Sequence, residues 1–329
     1  MISINLFLFS VFSLLSMAMA SEPAGIPSVV DYFDGLKGDM TKLTWAHAVN
    51  SQEQLRKALK DESVMMIEAD VVLGKLDGEN ETIPIMAHPP ASTSDLSLKQ
   101  FVGAVISVQE TEKKGIKLDF KSTEAFLESL NVVLRVREEE SFQLRFPVWL
   151  NADILRGPVE SQTTPVDADK FLKSSAQQFP SSTLSLGWTT RYGPNITGNY
   201  TDRQLDEMET AISRNKVVQP VTLAVRAGIV AQSSNGITSL VEKIDESNKT
   251  TLTIWMSTDT DPVDIGKLKN LILTLGKSRV FLDLPEAIRH KLDAENSSAK
   301  TPVSGAIGAF VAVLTSVSAL FTNAFKIFD

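Results

Sequence analysis

The feature that most constrains the fold is a regular alternation of short apolar runs with longer amphipathic segments. The apolar runs lie at residues 43–47, 65–71, 116–120, 147–151, 183–188, 221–226, 251–256 and 279–284. Segments with helical periodicity lie at residues 51–60, 96–109, 122–136, 167–178, 202–215, 235–246 and 262–275. Eight strands that alternate with helices over about 250 residues predict an α/β protein with a single (β/α)8 TIM-type barrel. A doubly wound open sheet is the alternative, although no glycine-rich phosphate loop follows the first strand.

Polar residues close the first predicted strands, at the end where a parallel barrel carries its active site. His47 closes the first run, and Glu68 and Asp70 lie two apart on the second run, so that they share one face. Asp119 and Lys121 have the same spacing on the third run. Carboxylates that converge in this way are hard oxygen ligands, which predicts a Mg²⁺ or Ca²⁺ site made by Glu68, Asp70 and Asp119.

An insertion at residues 71–95 is predicted to form a small hairpin with its turn at Asp77-Gly78. The hairpin would return His88 to the same end of the barrel as His47. Two imidazoles beside a cation could exchange protons as general acid and general base. The alternative for each of these strand-end residues is a hydrogen-bonded role in the scaffold.

The order of these residues resembles the glycerophosphodiester phosphodiesterase superfamily and the related sphingomyelinase D-like toxins. The matching residues are His47, Glu68-x-Asp70, His88 and Asp119-x-Lys121. The resemblance implies a phosphodiesterase-like barrel in which the histidines are the acid/base pair, the acids hold a divalent cation and the lysine faces the phosphate. Two departures stand out, because those enzymes usually have Arg after the first histidine and Asp or Asn after the second. This chain has Ala48 and Pro89-Pro90 there, so the neighbour expected to grip the phosphate is missing.

The longer sequence is similar to the menorin family over residues 30–292. The segments that carry the similarity are DYFDGLKGDMTKLTWAHAVNS, IEADV, IPIMAHPP, GIKLDFK, PVWLNADILRGP, LSLGWTTRYG and VTLAVRAG. This resemblance implies a protein that acts outside cells as a co-ligand with an L1-type cell adhesion molecule. The pair would instruct a neuronal transmembrane receptor that shapes dendrite branches.

Residues that close the later strands are expected at the same end of the barrel, and they are Asn151, Asp153, Trp188, Arg191, Arg226, Trp255, Ser257 and Asp283. Substrate binding is assigned to four of them, Asn151, Asp153, Arg226 and Trp255. The guanidinium of Arg226 could bind a phosphate in bidentate fashion, or it could form an ion pair with Asp283 or Asp153. The two tryptophans could line an apolar or sugar-binding rim or simply pack. His290, in a charged helical stretch, is expected at the surface.

Both ends of the chain suggest export and membrane attachment. Residues 1–20 have an apolar centre and end in a small-x-small pattern, which predicts a signal peptide; an uncleaved membrane helix is the alternative. The barrel domain is expected over residues 21–292, followed by a polar linker at 293–304. The apolar segment at 305–328 predicts a transmembrane helix or a GPI-anchor signal, with an amphipathic or soluble tail as the third alternative.

The remaining composition agrees with export. Glycosylation sequons begin at Asn80, Asn195, Asn199, Asn248 and Asn296. The predicted location is therefore the secretory pathway, leading to the extracellular face of the plasma membrane or to the medium. No cysteine is present, so a large core rather than disulfides must stabilise the domain. A formal net charge of −8 argues against a general nucleic-acid binder.

Two functional classes follow from the sequence. The first is the recognition role implied by the menorin resemblance, with the cation pocket inherited, and it is the favoured prediction. The second is a cation-dependent phosphodiesterase that cleaves a lysophospholipid or a glycerophosphodiester. In that case Lys121 and the cation would bind the phosphate, while His47 and His88 would move protons.

Overall fold

The computed structural model describes residues 25–139, 144–191, 193, 196–248 and 250–298. The predicted signal peptide, the apolar segment at 305–328 and the sequon residue Asn195 lie outside the described residues. Among the described helices, none has the length and apolar character needed to cross a bilayer.

Ten strands are found among the described residues. They are β1 (Trp45–Ala46), β2 (Met66–Leu76), β3 (Thr82–Met86), β4 (Thr93–Ser94), β5 (Gly115–Phe120), β6 (Val148–Arg156), β7 (Thr183–Thr189), β8 (Val221–Arg226), β9 (Thr251–Trp255) and β10 (Val280–Asp283). Each of the eight predicted strands is present. β3 and β4 belong to the predicted insertion.

Ten α-helices lie in the part of the chain that the structure describes, eight of them between strands. They are α1 (Val29–Tyr32), α2 (Gln52–Lys60), α3 (Leu98–Val108), α4 (Thr123–Glu139), α5 (Ala168–Gln178), α6 (Asp202–Arg214), α7 (Ala227–Val230), α8 (Ser234–Asn248), α9 (Ile265–Leu275) and α10 (Glu286–Ser298). Short 3₁₀ helices lie at Met40–Lys42 and Lys277–Arg279. The seven predicted helices are all found, and α10 continues past Leu292 into the stretch predicted as a linker.

The strands form one sheet in the order β1-β2-β5-β6-β7-β8-β9-β10, with β3 and β4 both paired to β2. The pairs β1–β2, β2–β5, β5–β6, β8–β9 and β9–β10 are parallel. Consecutive strands are therefore neighbours once the insertion is set aside. This is the (β/α)8 order, as predicted, because a doubly wound sheet would reverse its strand order at a switch point.

Polar caps explain where several helices begin. Ser51 and Asp264 accept hydrogen bonds from free backbone N–H groups in the first turns of α2 and α9. Ser97 and Thr201 each form a capping box with the glutamine three residues later, at the starts of α3 and α6. These local signals fix the helix starts without reference to tertiary contacts.

The described chain divides into two compact units. Unit 1 comprises residues up to 35, 45–151 and 170–184, and unit 2 comprises residues 36–44, 152–169 and 185 onward. In unit 1, Phe120 of β5 packs on Phe126 of α4 with ring centroids 5.2 Å apart, and Phe126 packs on Phe171 of α5 at 4.6 Å. Side chains alternate along a strand, so this packing turns Lys117 and Asp119 to the opposite face of β5.

The insertion forms the predicted hairpin. β2 and β3 pair antiparallel from Val71–Met86 to Lys75–Thr82, and Gly78 in the turn has φ of +84°. Past the end of β3, the backbone N–H of Ala87 donates to the carbonyl of Asp70 at 3.1 Å. The hairpin thus returns the chain to the end of β2 at the residue before His88.

Candidate functional site

Three carboxylates of unit 1, Glu68, Asp70 and Asp119, lie together and are called the acid cluster. Each offers an oxygen atom, and these atoms all lie within 4.8 Å of one another. The backbone explains the arrangement, because Asp70 and Asp119 are register partners on the parallel strands β2 and β5. Glu68 is two residues before Asp70 and faces the same way. Glu68 and Asp70 are buried, and Asp119 is largely buried.

Lys121 binds two members of the acid cluster. Its Nζ lies 2.7 Å from Oδ1 of Asp70 and 2.6 Å from Oδ2 of Asp119. Burial alone would lower the pKa of Lys121, but the three nearby carboxylates outweigh burial and raise it above its usual value. Burial would likewise raise the pKa of Asp119, yet Lys121 and Lys117 hold it below its usual value. The ammonium and the Asp119 carboxylate are therefore both charged at neutral pH.

The pKa of Glu68 is shifted in the opposite direction from that of Asp119. Burial raises the pKa of its carboxyl to about 7, Asp70 and Asp119 act in the same direction, and His47 and Lys117 oppose them. Its Oε2 accepts a hydrogen bond from the backbone N–H of Ala48 at 2.7 Å and lies 3.4 Å from Nδ1 of His47. Glu68 thus titrates near neutral pH, and a nearby cation would favour its ionised form.

Ala48 holds the position where the phosphodiesterases usually have Arg. Its φ is +54°, in the left-handed region that residues other than glycine rarely adopt. This turn directs its N–H to Glu68 and leaves the side chain of His47 partly exposed beside the same carboxylate. In this chain the residue after the first histidine therefore acts through its backbone.

Two asparagines form hydrogen bonds to carboxylates of the acid cluster. Asn50 donates from Nδ2 to Oδ2 of Asp70 at 2.7 Å, and its Oδ1 accepts the backbone N–H of Asp70 at 2.9 Å. Asn151 is the register partner of Asp119, and its side chain hydrogen-bonds to that carboxylate. The sequence predicts substrate binding for Asn151, and Asn50 is not among the predicted site residues. The position of Asn50, three residues after His47 in the loop that follows β1, was the available signal.

The two predicted acid/base histidines differ in their contact with the acid cluster. His47 contacts Glu68, whereas His88 is exposed and its Nδ1 lies 2.7 Å from the carbonyl oxygen of Pro89. His88 nevertheless follows Ala87, whose backbone bonds to Asp70 at the end of β2. The side chain of His47 therefore contacts the acid cluster directly. His88 is held near the cluster only through the backbone hydrogen bond of the preceding residue.

Arg226 and Trp255, predicted to bind substrate, lie in unit 2. Nη1 of Arg226 lies 2.7 Å from Oδ2 of Asp261, and the guanidinium carbon lies 4.3 Å from the centroid of the Trp255 ring. Arg226 also donates to the hydroxyls of Thr190 and Ser257. The sequence predicts an ion pair of Arg226 with Asp283 or Asp153, and the ion pair found is with Asp261 instead. That residue lies in the loop after β9, whose course depends on tertiary packing.

The loops after β7, β8 and β9 surround a cavity of about 840 Å³ in unit 2. Its lining includes Arg226 and Asp261 together with Asn199, Ile229 and Gln232. Asp261 is buried, and its Oδ1 accepts no hydrogen bond from the described residues. Burial raises the pKa of the Asp261 carboxyl, although Arg226 opposes that effect.

Among the other predicted residues of unit 2, Trp188 has a packing role and His290 lies at the surface. Trp188 is buried, donates from Nε1 to the carbonyl of Gln204 at 3.2 Å and packs on Tyr200 with ring centroids 5.0 Å apart. The packing alternative thus describes Trp188. Asp283 is the buried last residue of β10, and Asp153 lies on β6. His290 is exposed beside Glu286, as expected for a surface histidine.

The donor set of unit 1 fits a hard divalent cation. Each of the three carboxylates offers one oxygen atom, the ligand type that Mg²⁺ and Ca²⁺ prefer. Asn50 and Asn151 orient two of the three carboxylates, as outer residues do at metal sites. The residues present therefore fit the predicted Mg²⁺ or Ca²⁺ site.

Comparison with known families and proteins gives one family match and several relatives. Residues 39–289 match the family described as the Menorin N-terminal domain. Human protein FAM151B is 38% identical over 254 residues, which cover 77% of this chain and 86% of that protein.

The chain is also similar to solved structures, among them the catalytic domain of a hyperthermophilic chitinase from Pyrococcus furiosus. That domain is 14% identical, with a TM-score of 0.42 over 74% of this chain and 83% of the chitinase chain. The 3-keto-D-glucoside 4-epimerase from E. coli is 12% identical, with a TM-score of 0.40 over 80% of this chain and 99% of the epimerase.

Proposed function

The chain belongs to the menorin family, and from that premise we propose that it is a divalent-cation-dependent phosphodiesterase whose site is the acid cluster of unit 1. One observation carries the proposal: three carboxylates converge within 4.8 Å beside Lys121 and His47. The phosphodiesterase gives each of these residues a chemical task, whereas the recognition role favoured by the sequence leaves them as an inherited pocket.

The acid cluster would hold the cation, which when bound would neutralise charge on a phosphate and polarise its oxygen atoms. Lys121 supplies a permanent positive charge, because its pKa is raised by the carboxylates around it. It would face the phosphate, the role that the resemblance assigns to it. The side chain of Ala48 is a methyl group, which cannot bind a phosphate. Its backbone N–H is already bonded to Glu68.

His47 and His88 would carry the proton transfers. The carboxylate of Glu68 lies 3.4 Å from Nδ1 of His47, where it would orient the imidazole. One imidazole would take the proton of the attacking hydroxyl, and the other would give a proton to the leaving oxygen. The substrates proposed are phosphodiesters of the glycerophosphodiester or lysophospholipid class.

Phosphorus NMR tests this function directly. Full-length protein is incubated with glycerophosphocholine or lysophosphatidylcholine, in Mg²⁺ or Ca²⁺ and again in EDTA. We expect a new phosphate resonance only with cation, and its loss in the Glu68→Gln, Asp70→Asn double variant. The absence of any new resonance with both substrates and both cations would refute the phosphodiesterase.

Family membership favours a second function, in which the protein acts outside the cell by binding a partner and turns over no substrate. In this proposal the protein is exported to the extracellular face of the plasma membrane or into the medium. There it binds an L1-type cell adhesion molecule and instructs a neuronal transmembrane receptor that shapes dendrite branches. The sequon residues Asn80 and Asn199 are exposed, which suits glycosylation of an exported protein.

A binding and rescue experiment separates the two functions. Wild type and the Glu68→Gln, Asp70→Asn double variant are displayed on cells and tested with the ectodomain of an L1-type molecule and for support of dendrite branching. A recognition role predicts equal binding and equal branching for both proteins. Loss of branching in a variant that still binds the ectodomain would instead assign the biological role to the acid cluster.

A further inference from the structure

Lys117 is a buried lysine on the same face of β5 as the acid cluster. It lies two residues before Asp119, and side chains two apart on a strand point the same way. It is also the register partner of Glu68 on β2. Its side chain is 4% exposed, in a class of residue that is almost never fully buried without compensation.

An aromatic pair supports the Lys117 ammonium. Its Nζ lies 5.4 Å from the centroid of the Trp45 ring, within the range of a cation–π contact. Trp45 packs edge-to-face on Trp149, with ring centroids 5.3 Å apart and planes at 69°. Trp149 is the register partner of Lys117 on β6. The lysine is thus held in place by residues that are not themselves cation ligands.

The charge of Lys117 acts on two members of the acid cluster. It is two residues from Asp119 on β5 and opposite Glu68 on β2, so its ammonium group faces both carboxylates. When all five groups are ionised, three carboxylates face the ammonium groups of Lys121 and Lys117, which leaves one net negative charge. Without Lys117 the same group of side chains would carry two.

We propose that Lys117 is an internal counter-ion that weakens the affinity of the acid cluster for divalent cations and keeps the carboxylates together before a cation binds. The inference rests on the proposed cation site and deepens it. The two lysines have different tasks. Lys121 bonds to Asp70 and Asp119 and would face the phosphate, whereas Lys117 lies over the Trp45 ring and would act on the cation through its charge.

Lys114 provides a matched control. It is also fully buried, but its Nζ donates to the carbonyl oxygens of Asp61 and Val64 at 2.6 and 2.8 Å. Replacing Lys114 or Lys117 by Met removes one buried ammonium and keeps a side chain of similar length. Only the second replacement removes a charge beside the acid cluster.

The experiment follows thermal unfolding of the full-length protein during titration with Mg²⁺, starting from EDTA. Both lysine variants should unfold at lower temperature than wild type in EDTA. Lys117→Met should reach half of its Mg²⁺-induced stabilisation at a concentration at least about tenfold lower than wild type, because a nearby repelling charge is gone. Lys114→Met should titrate like wild type.

The outcomes distinguish the two levels of the proposal. Equal Mg²⁺ midpoints for the Lys114 and Lys117 variants would overturn the counter-ion role while leaving the cation site standing. A wild type that responds neither to Mg²⁺ nor to Ca²⁺ would overturn the cation site itself. If Lys117→Met does not fold, Lys117→Gln removes the same charge but keeps hydrogen-bonding capacity, and its midpoint decides the question.

Discussion

Asn50 and Asp70 bond to each other in both directions. The asparagine Nδ2 donates to the Asp70 carboxylate at 2.7 Å, and the Asp70 backbone N–H donates to the asparagine Oδ1 at 2.9 Å. One side chain therefore fixes both the strand and its carboxylate. The remaining carboxylate oxygen, Oδ1, contacts Lys121.

The first prediction follows from this pair. Asn50→Ala should weaken cation binding by about 10- to 100-fold, the usual cost of losing an outer residue that orients a ligand. Mg²⁺ titration followed by thermal unfolding measures the change. Gln162→Ala is the control, because among the described residues that exposed side chain bonds to a nearby backbone carbonyl, far along the chain from the acid cluster. Equal affinity in Asn50→Ala and the control would refute the orienting role.

The second prediction concerns the histidines. His47→Ala and His88→Ala should each lower phosphodiester turnover by about two to four decades through loss of acid/base catalysis. Both should keep cation affinity near that of wild type, since neither is a member of the acid cluster. His290→Ala should change nothing, because His290 is exposed beside Glu286. Turnover is measured by phosphorus NMR, and an undiminished rate in either variant would remove that histidine from the mechanism.

The strands and the acid cluster were predictable from the sequence for one physical reason. Strand-end residues on parallel neighbours occupy the same edge, so Glu68, Asp70 and Asp119 had to converge once β2 and β5 were identified. Spacing by two then settled which side chains share a face. No information beyond local periodicity was needed.

The residues that were missed belong to loops or act through their backbone. The roles of Asn50 and Asp261 depend on where the loops after β1 and β9 fold back, which local periodicity does not record. Ala48 acts through a backbone N–H in a left-handed turn, and its side chain gives no hint of that role. Lys117 is one polar residue inside an apolar run, and its contact with the aromatic pair depends on the neighbouring strands, which local periodicity does not record.

The third prediction concerns the pH dependence of stability in cation-free protein. The pKa of Glu68 rises from 4.5 to about 7 on folding, so the folded protein binds a proton that the unfolded chain releases. The contribution of this proton to the free energy of unfolding is fully present below pH 4.5 and is lost as pH rises to about 7. Glu68→Gln mimics the protonated carboxyl and should not lose it. Urea unfolding in EDTA should therefore show wild type falling relative to Glu68→Gln across this window; a constant difference would contradict the assignment.

The fourth prediction concerns the buried ion pair of unit 2. Asp261→Ala leaves the Arg226 guanidinium buried without its carboxylate, and should destabilise the protein by about 3–5 kcal/mol. Urea unfolding measures the loss. Asp206→Ala breaks an exposed contact with Lys243 and should cost at most about 1 kcal/mol. Equal losses of unfolding free energy in the two variants would mean that the buried Arg226–Asp261 pair stabilises the protein no more than an exposed pair does.

The last prediction concerns the apolar segment at residues 305–328, which lies outside the described residues. A transmembrane helix and a GPI signal both predict that the full-length protein stays at the cell surface. Deleting residues 305–328 should therefore move the protein into the medium, where glycosidase treatment should reduce its mass. Phospholipase that cleaves glycosylphosphatidylinositol then separates the two, because it releases an anchored protein and leaves a spanning one in place. Full-length protein found in the medium from the start would exclude both forms of attachment.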